Sequence, residues 1–488
     1  MTFTTLTFVL LLTVTFATYW SIKARSYQNI FLVIVSYFFY GWWDYRFCFL
    51  LFFSSLVDYI TGSYMARAEN PTMRRGLLLI SLVFNLGLLG FFKYWNFFSD
   101  SLTRALGSVG WHVDSFSLNV ILPLGISFYT FQTLTYTIDI YRGQLQPAQN
   151  LINYLCYLSF FPQLVAGPIE RASHLLPQVE RDRRFHYAQA VDGSQQMLWG
   201  FFKKMVIADN LAPIVNQAYN YYGSMSGPQL AFATVLFAFQ IYCDFSAYSD
   251  IAIGTAKLFG FDLMQNFAYP YFAQSISEFW RRWHISLSTW LKDYVYIPLG
   301  GSRVPAIRRS INVMITFLLS GLWHGASWNF VIWGGIHGSL IVLEPLWGAK
   351  STLKATDVPG GQGLVPRLQV LFRILLTFGM ACFAWIFFRA QSGGIALSII
   401  RKIVSDSLKP SAYQNFNDLF AASMLQAPIL LTLLVGFIAA EWLQRYRTYP
   451  LQIQKWYTPV RWLIYSVLLW VTLFWGTWNT GQFVYFQF

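Results

Sequence analysis

Charge is what this sequence has least of. Only 11% of its 488 residues are Asp, Glu, Lys or Arg, while 56% are hydrophobic and 19% aromatic. Soluble domains carry about a quarter charged residues, so a water-facing globular fold is excluded and a polytopic membrane protein is indicated. Familiar catalytic signatures are also missing. There is no GxSxG elbow, no phosphate-binding GxxxxGK[ST] loop, no GxGxxG followed by an acidic residue and no HExxH, which removes the basis for an ATP-driven pump. Cysteine is scarce: Cys48, Cys156, Cys243 and Cys382 are scattered through apolar stretches without CxxC or Cys/His spacing. They read as small buried hydrophobes, with no metal site. No internal repeat, low-complexity tract or soluble domain interrupts the chain, and the longest polar stretches are 348–367 and 389–417.

Hydrophobic runs are abundant. The stretches 5–20, 29–43, 47–60, 76–92, 118–138, 229–242, 311–322, 368–388, 428–442 and 462–478 could each lie in a bilayer. At about 20 residues per crossing they predict an all-α polytopic protein of about 10 to 12 transmembrane helices, organised as one domain over 1–488. The first run has no basic residue before it and no small-residue cleavage site after it, which predicts a retained first span.

Lys and Arg outnumber Asp and Glu 34 to 21. They gather at Lys23 and Arg25, at Arg67, Arg74 and Arg75, at Arg181, Arg183 and Arg184, and from Lys257 to Arg309. The positive-inside rule assigns these loops to the cytoplasm. Segment 210–229 has no Lys or Arg and 100–116 only Arg104, so both are expected outside, together with the N-terminus.

Two apolar segments break the simple alternation. Crossing at 151–167 would put the basic loop after Glu170 on the wrong side, and with Pro162, Gly167 and Pro168 the segment reads as re-entrant, buried in protein. Residues 311–344 would make a helix of roughly 50 Å, too long for a core of about 30 Å. It must tilt, break or fold back, and "SGLWHGASW", with Gly321 and Gly325 around His324, is the expected break.

Charge and aromatics meet in "SEFWRRWHISLSTWLKDYVYIPLGGSR", residues 277–303. Ser275 followed by Glu278 is a capping box that predicts a helix from Ile276. Phe279, Trp283, Leu287, Trp290 and Tyr294 form its apolar face, and Glu278, Arg281, Arg282 and Lys292 fall on another. Such a helix lies in the interface and binds lipid headgroups, or its basic face attracts a phosphorylated donor. His284 lies between the two faces, one turn from Ser288, where a hydrogen-bonded structural role is the simpler account. His324 lies in an apolar run, where an ionisable residue points to function, and a neutral imidazole can take and return a hydroxyl proton. His337 reads as a packing residue. Asp244 and Asp250, with Gln240 and Tyr248, either brace the histidine-bearing elements or line a polar passage.

"FWRRWHISLSTWLKDYVYIPLGGSR" with "GLWHGASWNFVIWGGIHG", "FFPQLVAGPIERASHLLPQ", "YCDFSAYSDIAIGTAKLFG" and the closing "FVYFQF" resembles the membrane-bound O-acyltransferases, in the bacterial branch that acetylates polysaccharides such as alginate. The resemblance implies an acyltransferase with a catalytic core over 120–345 and a ring of helices around a tunnel. It makes His324 essential and His284 its companion, and puts the basic helix at a cytoplasmic funnel. Arg281, Arg282, Lys292 and Arg303 are then the expected contacts for the phosphates of acetyl-CoA, a donor substrate and not a resident cofactor. It implies the bacterial inner membrane and a periplasmic partner resembling an SGNH hydrolase that passes the acetyl group to an exopolysaccharide. Lipids are the only other partner expected, with no nucleic acid. An acetyl-histidine intermediate is a variant of the mechanism. D-alanyl transfer to teichoic acid, glycan or lipid transport, and a noncatalytic scaffold that recruits secretion-machine partners are the competing readings; transport is usually built on repeats.

Overall fold

The computed structural model describes residues 1–488 apart from 115, 348–357, 360–362, 364, 415, 421–424, 426, 479–482 and 484–488. Most of the polar stretch 348–367 and all of "FVYFQF" except Phe483 therefore lie outside the described residues. Every regular element among the described residues is a helix, as expected of an all-α protein. Five are long and apolar enough to cross a bilayer, Arg46–Arg67, Pro71–Ser108, Gly227–Leu258, Leu368–Arg389 and Thr458–Trp475, and Leu6–Ser21 and Ala427–Leu443 are shorter apolar helices. That is fewer than the apolar runs suggest. Several runs form helices of 16 or 17 residues, such as Arg25–Gly41 and Ile126–Tyr141, which reach only about 24 to 26 Å at 1.5 Å per residue.

The residues fall into two compact units, 1–194 with 252–264, and 195–251 with 265–488. In the first, the segment expected to be re-entrant forms two short buried helices, Leu151–Ser159 and Phe161–Leu164. Nine residues span about 13 Å, so neither can cross. The chain turns at Phe160, ahead of Pro162, and the Phe161 N–H donates to Ser36 Oγ at 3.1 Å. The "GPIERASHLLPQ" stretch is a staple: buried Glu170 accepts from the Met264 N–H and pairs with His174 Nδ1 at 2.7 Å, while the Gln178 side chain bonds the Asp262 backbone in both directions. The Glu170 carboxylate holds the His174 imidazole above its ordinary pKa.

The second unit contains two features that position the site. Residues 311–344 fold back as expected: helix Ala306–His324 ends at Gly325, and Trp328–Leu343 returns beside it with Ser327 as N-cap. Glycines permit the close packing. A Cβ on Gly321 would lie 2.1 Å from the Phe330 carbonyl oxygen, and one on Gly334 would lie 2.2 Å from that of Phe317. Because the obstacles are backbone atoms, Gly321→Ala should destabilise by about 1 to 3 kcal/mol, read as a lower melting temperature in detergent; an unaltered one would mean that the helices separate freely.

The other feature is a buried ionic network on the π-helix Phe202–Ala208. Lys204 Nζ lies 2.6 Å from Asp244 and 2.8 Å from Asp209, and Lys203 Nζ lies 2.6 Å from Asp250. Asp244 and Asp250 are therefore braces, and the partners they hold are this lysine pair.

Candidate active site

The capping box at Ser275 forms. Ser275 Oγ accepts from the Glu278 N–H at 3.1 Å, while Glu278 Oε2 accepts from the Gln274 N–H, one residue earlier than the usual reciprocal bond. The expected single helix does not follow. Ile276–Arg282 and Ile285–Leu291 are separate seven-residue helices joined through His284, which has φ 45°. A left-handed residue with a side chain is uncommon, although His is among the types enriched there. The cause is an extended strap: the Ala268 N–H donates to the Arg282 carbonyl at 3.0 Å, the Ile285 N–H to the Asn266 carbonyl at 2.9 Å, and Ser286 Oγ to Asn266 Oδ1 at 2.9 Å. These bonds replace helical ones and turn His284 inward.

The bend brings the two histidines together. The His284 and His324 ring centroids are 6.2 Å apart, near enough for both to reach one oxygen set between them at about 3 Å each. Both are buried, 0% and 3% exposed. Phe245 packs on His284 at 4.6 Å, Trp323 on both rings, and Trp333 and Phe388 on His324 at 4.9 and 5.5 Å. Burial pushes the His284 imidazole down to about 3, so it is neutral across the physiological range. His337 has a structural bond: its Nδ1 accepts from Trp280 Nε1 at 3.2 Å.

A cavity of about 230 Å³ is lined by Ser288, one helical turn from His284, and by Ser320, together with Ser277, Trp280, Arg281 and Lys292; neither histidine is part of its lining. Ser320 is one helical turn from His324 and on its face of the helix. The four expected cationic contacts separate here. Arg281 and Lys292 line the cavity. Arg282 does not: it is 1% exposed and its Nε bonds Glu278 Oε1 at 2.8 Å. Arg303 is exposed on the loop that follows and is not part of the lining. The continuous amphipathic face is corrected as well, since Glu278 and Arg282 point into protein and form an ion pair.

Comparison with known proteins converges on these elements. The sequence profile of "MBOAT, membrane-bound O-acyltransferase family" matches residues 145–387. "Probable alginate O-acetylase AlgI" of Pseudomonas aeruginosa is 38% identical over 400 residues, covering 81% of this chain and 73% of that protein. The chain belongs to the membrane-bound O-acyltransferase family. It is thus a multi-pass membrane acyltransferase. The peptidoglycan O-acetyltransferase of Helicobacter pylori is 34% identical, over 78% of this chain and 75% of its own length. The teichoic acid D-alanyltransferase of Bacillus subtilis is 26% identical, over 56% and 70%. The profile covers both histidines and the cavity wall.

Sequence reading did not single out Trp333, Phe388 or Phe245 as parts of the enclosure, because nothing local says which aromatics converge. Lys203 and Lys204 were legible: two lysines inside the apolar run "GFFKKMVIA" need partners.

Proposed function

We propose that this chain is an inner-membrane O-acetyltransferase that takes an acetyl group from acetyl-CoA at the cytoplasmic side and delivers it to a hydroxyl reached from the other side. A periplasmic partner resembling an SGNH hydrolase then passes it to an exopolysaccharide such as alginate. The observation that carries the reading is the His284–His324 pair, enclosed by aromatics and one helical turn from two serines that line a cavity with two basic residues on its wall. The higher identity to O-acetylases than to D-alanyltransferases supports acetyl as the group moved.

In this reading the cavity, too small for a whole coenzyme thioester, takes part of its arm, with the thioester reaching toward His324, while Arg281 and Lys292 meet the phosphates outside. His324 accepts the proton of the acceptor hydroxyl as its oxygen bonds to the thioester carbonyl carbon. His284, neutral and held inward by the Asn266 strap, orients that hydroxyl. Collapse of the adduct breaks the C–S bond, and the thiolate leaves with the proton that His324 returns. Dry surroundings strengthen each of these polar contacts.

Release of free thiol from acetyl-CoA by the purified protein, absent in His324→Ala, is the direct test; equal release by both would refute the reading. Charge reversal separates the cations. Arg281→Glu or Lys292→Glu should weaken acetyl-CoA binding several-fold with little change in melting temperature, and salt should weaken binding to the parent, since exposed charges are screened over about 8 to 10 Å. Arg282→Glu should instead unfold the segment, because it faces Glu278 with a second buried carboxylate. Unaltered affinity in both Arg281→Glu and Lys292→Glu would remove the phosphate role.

A further inference from the structure

Three indole N–H groups, on Trp283, Trp333 and Trp385, are buried without a hydrogen-bond acceptor among the described residues. All three side chains are wholly enclosed. Buried donors are nearly always bonded, and one left over calls for an explanation; three in one cluster call for a shared one. The rings touch in series, Trp283 to Trp385 at 5.1 Å and Trp385 to Trp333 at 5.8 Å, and Trp333 reaches His324 at 4.9 Å. Trp280, in the same cluster, donates its N–H to His337 Nδ1. An indole here can therefore be satisfied where its role is packing.

We propose that the Trp333 indole N–H is the donor that binds the carbonyl oxygen of the acyl group during transfer. This rests on the acyl-transfer reading above. As the acceptor oxygen bonds to the carbonyl carbon, the C=O π pair moves onto the carbonyl oxygen, and an N–H about 3 Å away stabilises that charge more than it stabilises the neutral carbonyl. When the pair returns, the C–S bond breaks, the ester remains, and the thiolate takes the proton held by His324. The position of the ring suits this role. Trp333 stands on the returning arm of the hairpin whose other arm carries His324, so donor and base are fixed to one rigid piece. The plainer account is an N–H resting on the face of Phe388, whose ring is 5.2 Å away and inclined by 67°, a weak contact with no catalytic consequence.

Trp333→Phe keeps a ring and removes only the donor, and Trp385→Phe is its control, an equally buried donor one ring farther from His324. The full-length variants are purified in detergent, and free thiol released from acetyl-CoA is followed at steady state, with melting temperatures measured on the same samples. The expected result is a fall in kcat on the order of 100-fold for Trp333→Phe, with KM and melting temperature near parental values, and kcat within about five-fold of parent for Trp385→Phe. Parental kcat in Trp333→Phe, equal losses in the two variants, or a loss accounted for by a lower melting temperature would each overturn the assignment. A parent that releases no thiol is a different failure: it removes the acyl-transfer reading, and this inference with it.

Discussion

His324→Ala should abolish acetyl transfer while the protein still reaches the membrane at near-parental amounts. A positioned general base is worth about 10²- to 10⁴-fold, and polysaccharide acetylation in cells should fall below detection. The backbone should persist, because alanine is the strongest helix former and position 324 is the last residue of its helix. Acetylation measured beside protein abundance decides the matter, and near-normal acetylation would remove this histidine from the chemistry. His284 needs a subtler substitution because its φ is 45°. Alanine lacks the enrichment in left-handed backbone that histidine and asparagine share, so it would mix a folding defect with a catalytic one. Asparagine tolerates the bend, so His284→Asn should keep the protein level and lose most of the activity.

Lys204→Met should be the most damaging single change to stability. The ammonium sits between the carboxylates of Asp209 and Asp244, and the three side chains are 2%, 7% and 1% exposed. Removing it takes the cation from between two buried carboxylates, and breaking such a pair costs about 3 to 5 kcal/mol, a large part of the total stability of about 5 to 15 kcal/mol. The variant should accumulate poorly and melt early. Adding Asp209→Asn and Asp244→Asn should recover much of the loss, since the buried negative charges then disappear. A parental melting temperature in Lys204→Met would show that the network holds nothing together.

How much was legible depended on where the cause of each feature lies. The fold-back at Gly325 could be read because an apolar run too long for a bilayer contained a histidine between glycines, a conflict internal to the run. The helix start at Ser275 could be read because its cap is three residues from its partner. The bend at His284 could not, since its cause is a strap of backbone bonds from Asn266 and Ala268, and residues 276–296 alone have no glycine or proline to announce it. Arg282 looked like a ligand contact because charge in a sequence has no visible partner, although Glu278 four residues earlier was a usable sign. The aromatic enclosure was illegible for the same reason on a larger scale: Phe245, Trp333 and Phe388 come from three distant helices.

The hairpin that carries His324 also bears on the order of assembly. Its close packing, glycine against backbone carbonyl, uses only residues 306–343, so its contacts are short in sequence and quick to form. As the chain emerges from the ribosome, those contacts can close while the C-terminal helices are still being made. Leu368–Arg389, which brings Phe388, then arrives against a hairpin already shaped. On this account a defect in the late helices leaves a nascent protein with its base on a preformed tip and its aromatic enclosure incomplete.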